Sequence, residues 1–322
     1  MELKFTSETT FEALIFFGAL ISLYVLVLGH RIHLARKSGL KSPFVEDILR
    51  LPGHSARLHR SSIFDELAER YNQFLLYSVM LIFSALFINS LLSLVSLVVA
   101  IFGVSSTMVK AWKLFDKIQE ANLVCDGEEY TGQELNYLSS EGAFVYHDIP
   151  YSGGNIDHIV IGNDKVFVVE TCTVNKDPSS NIDDSKASST VEFDGDNLKF
   201  PSSVTADPIV QAKRHSKYLK SQIFENCDLK FQVMPVVAIP GWHVNITSRS
   251  KAGILIINPK RGTGLKAWLG SRNNLDARKA VHEYLSSVAR SIPPRSKKTE
   301  VNASEDFDFW LSPRYKTKVL RD

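Results

Sequence analysis

Apolar residues are spread very unevenly along the chain. Residues 11–29 carry one charge, Glu12, and residues 71–109 carry none. At ~1.5 Å rise per residue the first run matches a hydrocarbon layer ~30 Å thick. The second run is too long for one untilted span. Asn89-Ser90 divides it into two runs of about nineteen residues, so it reads as a helical hairpin or as one long tilted helix. The leader before residue 11 is poor in basic residues and no small-residue cleavage site follows, which favours a retained helix over a cleaved signal.

Beyond residue 120 the pattern changes to alternating helix and strand periods. Residues 127–142 predict an amphipathic helix with Leu135 and Leu138 on one side and Gly142 past its end. Residues 143–151 predict a strand, and 155–162 with 165–172 a β-hairpin. A second hairpin is expected around Asp194-Gly195, a helix over 207–224 with Pro208 at its start, strands near 231–240 and 252–259, and a last helix over 275–292. The expected architecture is α/β with a mixed sheet. The divisions are a first transmembrane helix in 1–30, a basic connecting segment 31–70, a second membrane segment 71–109, a globular domain 120–292 and a tail 293–322.

The hairpin at 155–172 carries the candidate chemistry. With Asn163-Asp164 as a two-residue loop, Ile161 opposes Val166, Ile159 opposes Val168, and Asp157 opposes Glu170. Cys172 follows on the same face and His158 lies on the other. Like charges opposite one another beside apolar strands repel. A divalent cation such as Mg²⁺ would offset that repulsion, since two carboxylates plus waters form a common shell. The alternative is that the acids cap the hairpin where it meets solvent.

Net charge is only +2, so composition does not announce a nucleic-acid partner. Three scattered cysteines support neither a disulfide framework nor a zinc site, and fit a reducing compartment. Residues 31–70 hold Arg31, Arg36, Lys37, Lys41 and four further arginines, which argues for the cytoplasmic side. Lys110, Lys113 and Lys117 after the second apolar run favour a globular domain on that same side, at an inner or cytoplasmic membrane.

The order of elements resembles the nuclease-related domain, NERD, a branch of the PD-(D/E)XK nuclease superfamily. The matching features are the Gly/Glu-rich helix opening at Gly127, then Ile156-Asp157-His158, then the apolar strand ending at Glu170, then Asp207-Pro208-Ile209-Val210-Gln211-Ala212. The resemblance covers about residues 125–240 and implies a restriction-endonuclease-like mixed sheet flanked by helices. It implies Asp157 and Glu170 as ligands of Mg²⁺ or Mn²⁺, Glu134 as the acid of the first helix with Glu128 or Glu129 as alternatives, and Gln211 as a positioner of phosphate or water. The family's Glu-x-Lys lysine is replaced by Cys172. A mostly protonated thiol cannot orient water or balance phosphate charge. Lys176 or Lys213 would have to supply the amine.

The function implied is metal-dependent hydrolysis of DNA or RNA phosphodiesters by a membrane-anchored protein. A basic face of Lys213, Arg214, Lys217 and Lys220 would follow the nucleic-acid backbone. The competing expectation is a catalytically inactive nuclease fold that binds nucleic acid or acts as a scaffold on the membrane. A cysteine-based catalyst using Cys172 is a third reading, without a base on its own face.

Overall fold

A computed structural model describes Tyr24 and residues 46–86, 91–151, 153–176, 189–248, 253–270 and 274–292. The first apolar run apart from Tyr24, the Asn89-Ser90 division and the tail lie outside the described residues. The account below concerns the unit Leu49–Ile292.

Two long helices come first, α1 over His54–Leu86 and α2 over Leu91–Asn136. The charge-free stretch is shared between them. Residues 54–70, read from composition as part of a connecting segment, are helical and continuous with it. Likewise α2 runs without a break from apolar residue Leu91 into the Gly/Glu-rich segment at Gly127. The stretch Ser93–Glu141 is long and apolar enough to cross a membrane by length and composition, and it is the one such helix among the described residues. Backbone hydrogen bonds within a helix are indifferent to what surrounds it, so the change of texture near 120 makes no break. A short 3₁₀ turn, Tyr137–Glu141, follows α2 and ends at Gly142, whose φ of 83° closes the helix.

The strands are β1 (Phe144–Tyr151), β2 (Gly154–Ile161), β3 (Lys165–Thr171), β4 (Thr190–Phe193), β5 (Leu198–Lys199) and β6 (Val204–Thr205). After α3 (Asp207–Cys227) come β7 (Gln232–Ala238), β8 (His243–Ile246) and β9 (Leu255–Ile257), then α4 (Leu275–Ala289). The main sheet has five strands in the order β9-β7-β3-β2-β1. It is mixed: β1, β2 and β3 are antiparallel neighbours, while β3, β7 and β9 run parallel. A smaller sheet, β6-β5-β4-β8, stands beside it; β6 and β8 were not expected from the sequence.

Alternation along β2 and β3 divides the core in two. Ile159, Ile161, Val166 and Val168 pack with Leu219 and Ile223 of α3 and Val281 and Leu285 of α4. Val160, Phe167 and Val169 pack on the opposite face with Leu135 and Leu138. Both faces are covered, as a central strand pair requires. This is a mixed sheet flanked by helices.

Candidate functional site

The hairpin register is the one the loop predicts. Gly162 N–H donates to the Lys165 carbonyl at 2.8 Å, and Ile161 pairs with Val166 and His158 with Val169. The next positions outward are Asp157 and Glu170, both buried at 8% and 2% exposure. Asp157 Oδ2 accepts the Thr171 backbone N–H at 2.8 Å.

The third acid comes from α2. It is Glu128, 4% exposed, and not Glu134. Glu134 is six residues further along, about 9 Å by helical rise and on a different side. There it accepts the Arg261 backbone N–H in an exposed contact. What fixes the rotation of α2 is close approach at two glycines. A Cβ on Gly127 would overlap the Thr173 side chain, and one on Gly132 would lie 2.5 Å from the Pro52 ring. Gly132→Ala in an ordinary helix would add about 1 kcal/mol of stability. Here the added methyl meets a rigid ring, and a loss of about 1–3 kcal/mol is expected instead. Chemical denaturation of the two chains in the same micelles measures the sign.

Burial pushes Glu128 well above the usual carboxylate range, and the charges of Asp157, Asp148 and Glu170 push it further. Asp157 is raised by burial and then by Glu170, against the Thr171 N–H that favours its charged form. Glu170 is pushed up to about 8 by burial, opposed by the Gln211 hydrogen bond and the Arg214 charge. Glu128 Oε2 and Thr131 Oγ1 are buried with no hydrogen-bond partner.

The fourth acid, Asp148, is turned out of this row. Pairing on either side, His147 with His158 and Ile149 with Ile156, would set Asp148 opposite Asp157. Its φ of 52° swings the carboxylate away instead, a conformation L-residues rarely adopt. Asp148 Oδ1 accepts from Ser55 N–H at 3.2 Å and Asn155 Nδ2 at 2.8 Å. Oδ2 accepts from Arg50 Nη1 and the Ser55 hydroxyl, each at 2.8 Å. The carboxylate thus faces the start of α1, where free N–H groups favour a negative charge.

Glu170 is held by α3. Pro208 sits in the first turn of that helix and sets its start. Gln211 and His215, one turn apart, then reach the same carboxylate. Gln211 Nε2 donates to Oε2 at 2.8 Å, and His215 Nδ1 meets Oε1 at 2.5 Å. His215 Nε2 is 2.6 Å from the Tyr151 hydroxyl. Gln211, expected to position phosphate or water, is therefore committed to Glu170. The spacing of His215 four residues after Gln211 was the sequence signal for this second partner.

His158 lies on the opposite face, as expected, in a buried chain. Asn136 Oδ1 is 3.1 Å from His147 Nε2, the two Nδ1 atoms are 3.0 Å apart, and His158 Nε2 is 3.3 Å from the Thr171 hydroxyl. The Asn136 oxygen only accepts, so His147 carries its proton on Nε2 and accepts at Nδ1. His158 then donates from Nδ1 and accepts at Nε2. Burial holds both rings neutral, His147 down to about 4 and His158 well below its ordinary value.

Cys172 sits in an apolar cluster with Ala212, Val237 and Trp242. Burial pushes its thiol up to about 12, so it is inert as nucleophile or thiolate ligand. Lys176 donates to Ser189 at 3.1 Å and stands 5.6 Å from the Trp242 ring centre. Lys213 is half-buried on α3. The cation that bears on Glu170 is Arg214. Arg214, Lys217 and Lys220 are exposed.

Among the described residues no three His, Cys, Asp or Glu side chains are grouped to hold one ion. Glu170 Oε2 accepts from Gln211, and Oε1 lies 2.5 Å from His215 Nδ1, so both oxygens are already engaged by α3. Glu128, with its unpartnered oxygen, is the member of the set that does suit a cation.

Asp157 and Glu170 thus stand on adjacent strands of a mixed sheet, with Glu128 presented by the helix that precedes it. In the comparison with protein families, residues 125–240 match NERD, the nuclease-related domain. That segment contains Glu128, Asp157, Glu170, Cys172, Gln211 and His215. No curated protein and no solved structure matches the chain.

Proposed function

We propose that this protein is a membrane-tethered, nuclease-like module that holds nucleic acid, DNA in the first instance, without cutting it by the lysine-assisted route. The observation that carries this reading is α3. One side of the helix binds Glu170 through Gln211 and His215, while Arg214, Lys217 and Lys220 stand exposed beside it. The backbone would lie along that stripe. The position that would deliver an amine to the phosphate holds a sealed thiol instead. The charge-free stretch 71–109 would supply the tether, with the domain on the cytoplasmic face of the membrane. A restriction-endonuclease-like ancestry accounts for the order of elements.

The second reading is Mg²⁺- or Mn²⁺-dependent phosphodiester hydrolysis. The unpartnered, buried Glu128 oxygen near Asp157 favours it. It requires Glu170 to leave His215 and Gln211.

The test uses the full chain in micelles with labelled DNA and RNA duplexes. Four phosphate contacts, counting Lys213, give a slope of about −3.6 in log–log salt dependence, or ~10²-fold weaker binding between ~50 and ~200 mM salt. Lys217→Ala with Lys220→Ala should reduce the slope by about two. The same samples with Mg²⁺ or Mn²⁺ should show no cleavage beyond that of Asp157→Ala. Binding that ignores salt sinks the stripe. Cleavage lost with Asp157 establishes the second reading.

A further inference from the structure

The two long helices pack as an antiparallel pair with an inside-out distribution of polarity. Between them, Ser84 Oγ is 2.7 Å from Ser96 Oγ. Elsewhere the hydroxyls turn back on their own helices, Ser78 to the Phe74 carbonyl and Thr107 to the Gly103 carbonyl. Outward stand Leu76 and Val98 at 67% exposure, Phe102 at 75% and Leu91 at 80%. A water-soluble helix pair buries such residues and exposes its serines. A continuous apolar surface with polar groups turned inward fits lipid.

The register of the pair adds a second observation. Ser84 touches Ser96, and seven residues back along α1 Tyr77 fills the space at Gly103, seven residues on along α2. The same step again sets Arg70 level with Lys110, and Tyr71 level with Val109. The charge-free stretch therefore begins at one height on both helices. Tyr71 and Trp112, 60% and 71% exposed, mark that height with aromatic rings. Aromatic residues beside basic ones are what a membrane–water interface selects. From this collar the α1 arm extends about 24 Å and the α2 arm about 28 Å, close to the ~30 Å of a hydrocarbon core.

Resting on the tether proposed above, we infer that α1 and α2 enter a lipid bilayer as one hairpin, from one side, with the Arg70/Lys110 level at the headgroups. The occupant of the exposed apolar face is lipid. The helix that leaves the bilayer is the same α2 that carries Glu128, with no break between. Lys110 and Glu128 are eighteen residues apart by number, so the acidic site stands about 27 Å along the helix from the headgroup plane.

The experiment places single cysteines at Tyr71 and at Lys110 in the full chain, with Cys227, the half-buried native thiol, changed to serine. The chain is embedded in sealed vesicles and treated with a membrane-impermeant maleimide. Both positions should label from the same side, the side on which a terminal tag after residue 322 is digested. Leu76→Cys and Phe102→Cys should label at least tenfold less. A chain that survives alkaline washing but labels Tyr71→Cys and Lys110→Cys from opposite sides overturns the hairpin and leaves the tether. A chain that washes off as a soluble oligomer, with Leu76→Cys and Phe102→Cys protected, overturns both.

Discussion

Arg50→Ala is expected to cost about 3–5 kcal/mol of stability, the amount lost when one partner of a buried ion pair is removed. Asp148 is 0% exposed, and Arg50, itself largely buried, is its charged partner at 2.8 Å. The Ser55 and Asn155 donors remain in the variant, yet a full negative charge would be left in the interior beside an already crowded row of acids. Arg50 also bonds Ser291 through Nε at 2.7 Å, and its own backbone N–H donates to the Ala289 carbonyl at 3.1 Å. The segment before α1 is thus fastened to the end of α4. Arg50→Lys keeps the charge but not the fork, and should recover about half the loss. Asp148→Asn in the Arg50→Ala background should recover more than in the parent, because the two residues act as a pair. The measurement is the denaturation midpoint of the five full-length chains in one detergent. A loss below about 1 kcal/mol for Arg50→Ala would mean that Asp148 is not held by this charge.

The contrast between Asp148 and Asp157 explains what could be read from the chain beforehand. The Asp157–Glu170 neighbourhood was legible because strand alternation and a two-residue loop fix every pair between them. That is local information, and the register follows it to Ile161–Val166 and His158–Val169. The positive φ of Asp148 was not legible. It depends on Arg50, ninety-eight residues away in sequence, and an aspartate before Ile149-Pro150 reads as an ordinary strand residue. The choice between Glu128 and Glu134 was illegible for a related reason. Both lie on one helix, and its rotation is set by contacts of Gly127 and Gly132 with Thr173 and Pro52. His215 could be placed on a helix but not aimed, because its target is on a strand from earlier in the chain. The departure at Cys172 was visible as a residue type. Its consequence was not, since the apolar cluster around the thiol draws on β4, β5, β7 and α3.

Stability is expected to fall as pH rises from about 6.5 to 8, the reverse of what surface carboxylates produce. Glu170 moves from an ordinary 4.5 to about 8 on folding. A group whose folded value is raised favours the fold while it is protonated. Its contribution is complete below about 4.5 and is lost as pH climbs through the folded value. At about 1.4 kcal/mol per pH unit, that amounts to an order of 5 kcal/mol across the window. Asp157 and Glu128 are displaced in the same direction and steepen the fall. The histidine chain opposes it at the acid end. His147 drops from 6.5 to about 4 on folding, so its contribution is present above 6.5 and lost as pH falls toward 4. His158 acts in the same sense. Between about 4.5 and 6.5 the two groups pull against each other and the curve should be shallow. Above 6.5 the acids act alone, and below 4.5 the histidines do. Glu170→Gln keeps the size of the side chain and removes its proton equilibrium. It should make the alkaline limb shallower by about 1.4 kcal/mol per pH unit and leave the acid limb in place. Denaturation midpoints of the two chains at half-unit steps from pH 4 to 9 measure both limbs. A parent chain that grows more stable from pH 6.5 to 8 would show that Glu170 is ionised in the fold. Its partnership with His215 and Gln211 would then be that of a charged carboxylate, open to exchange for a cation.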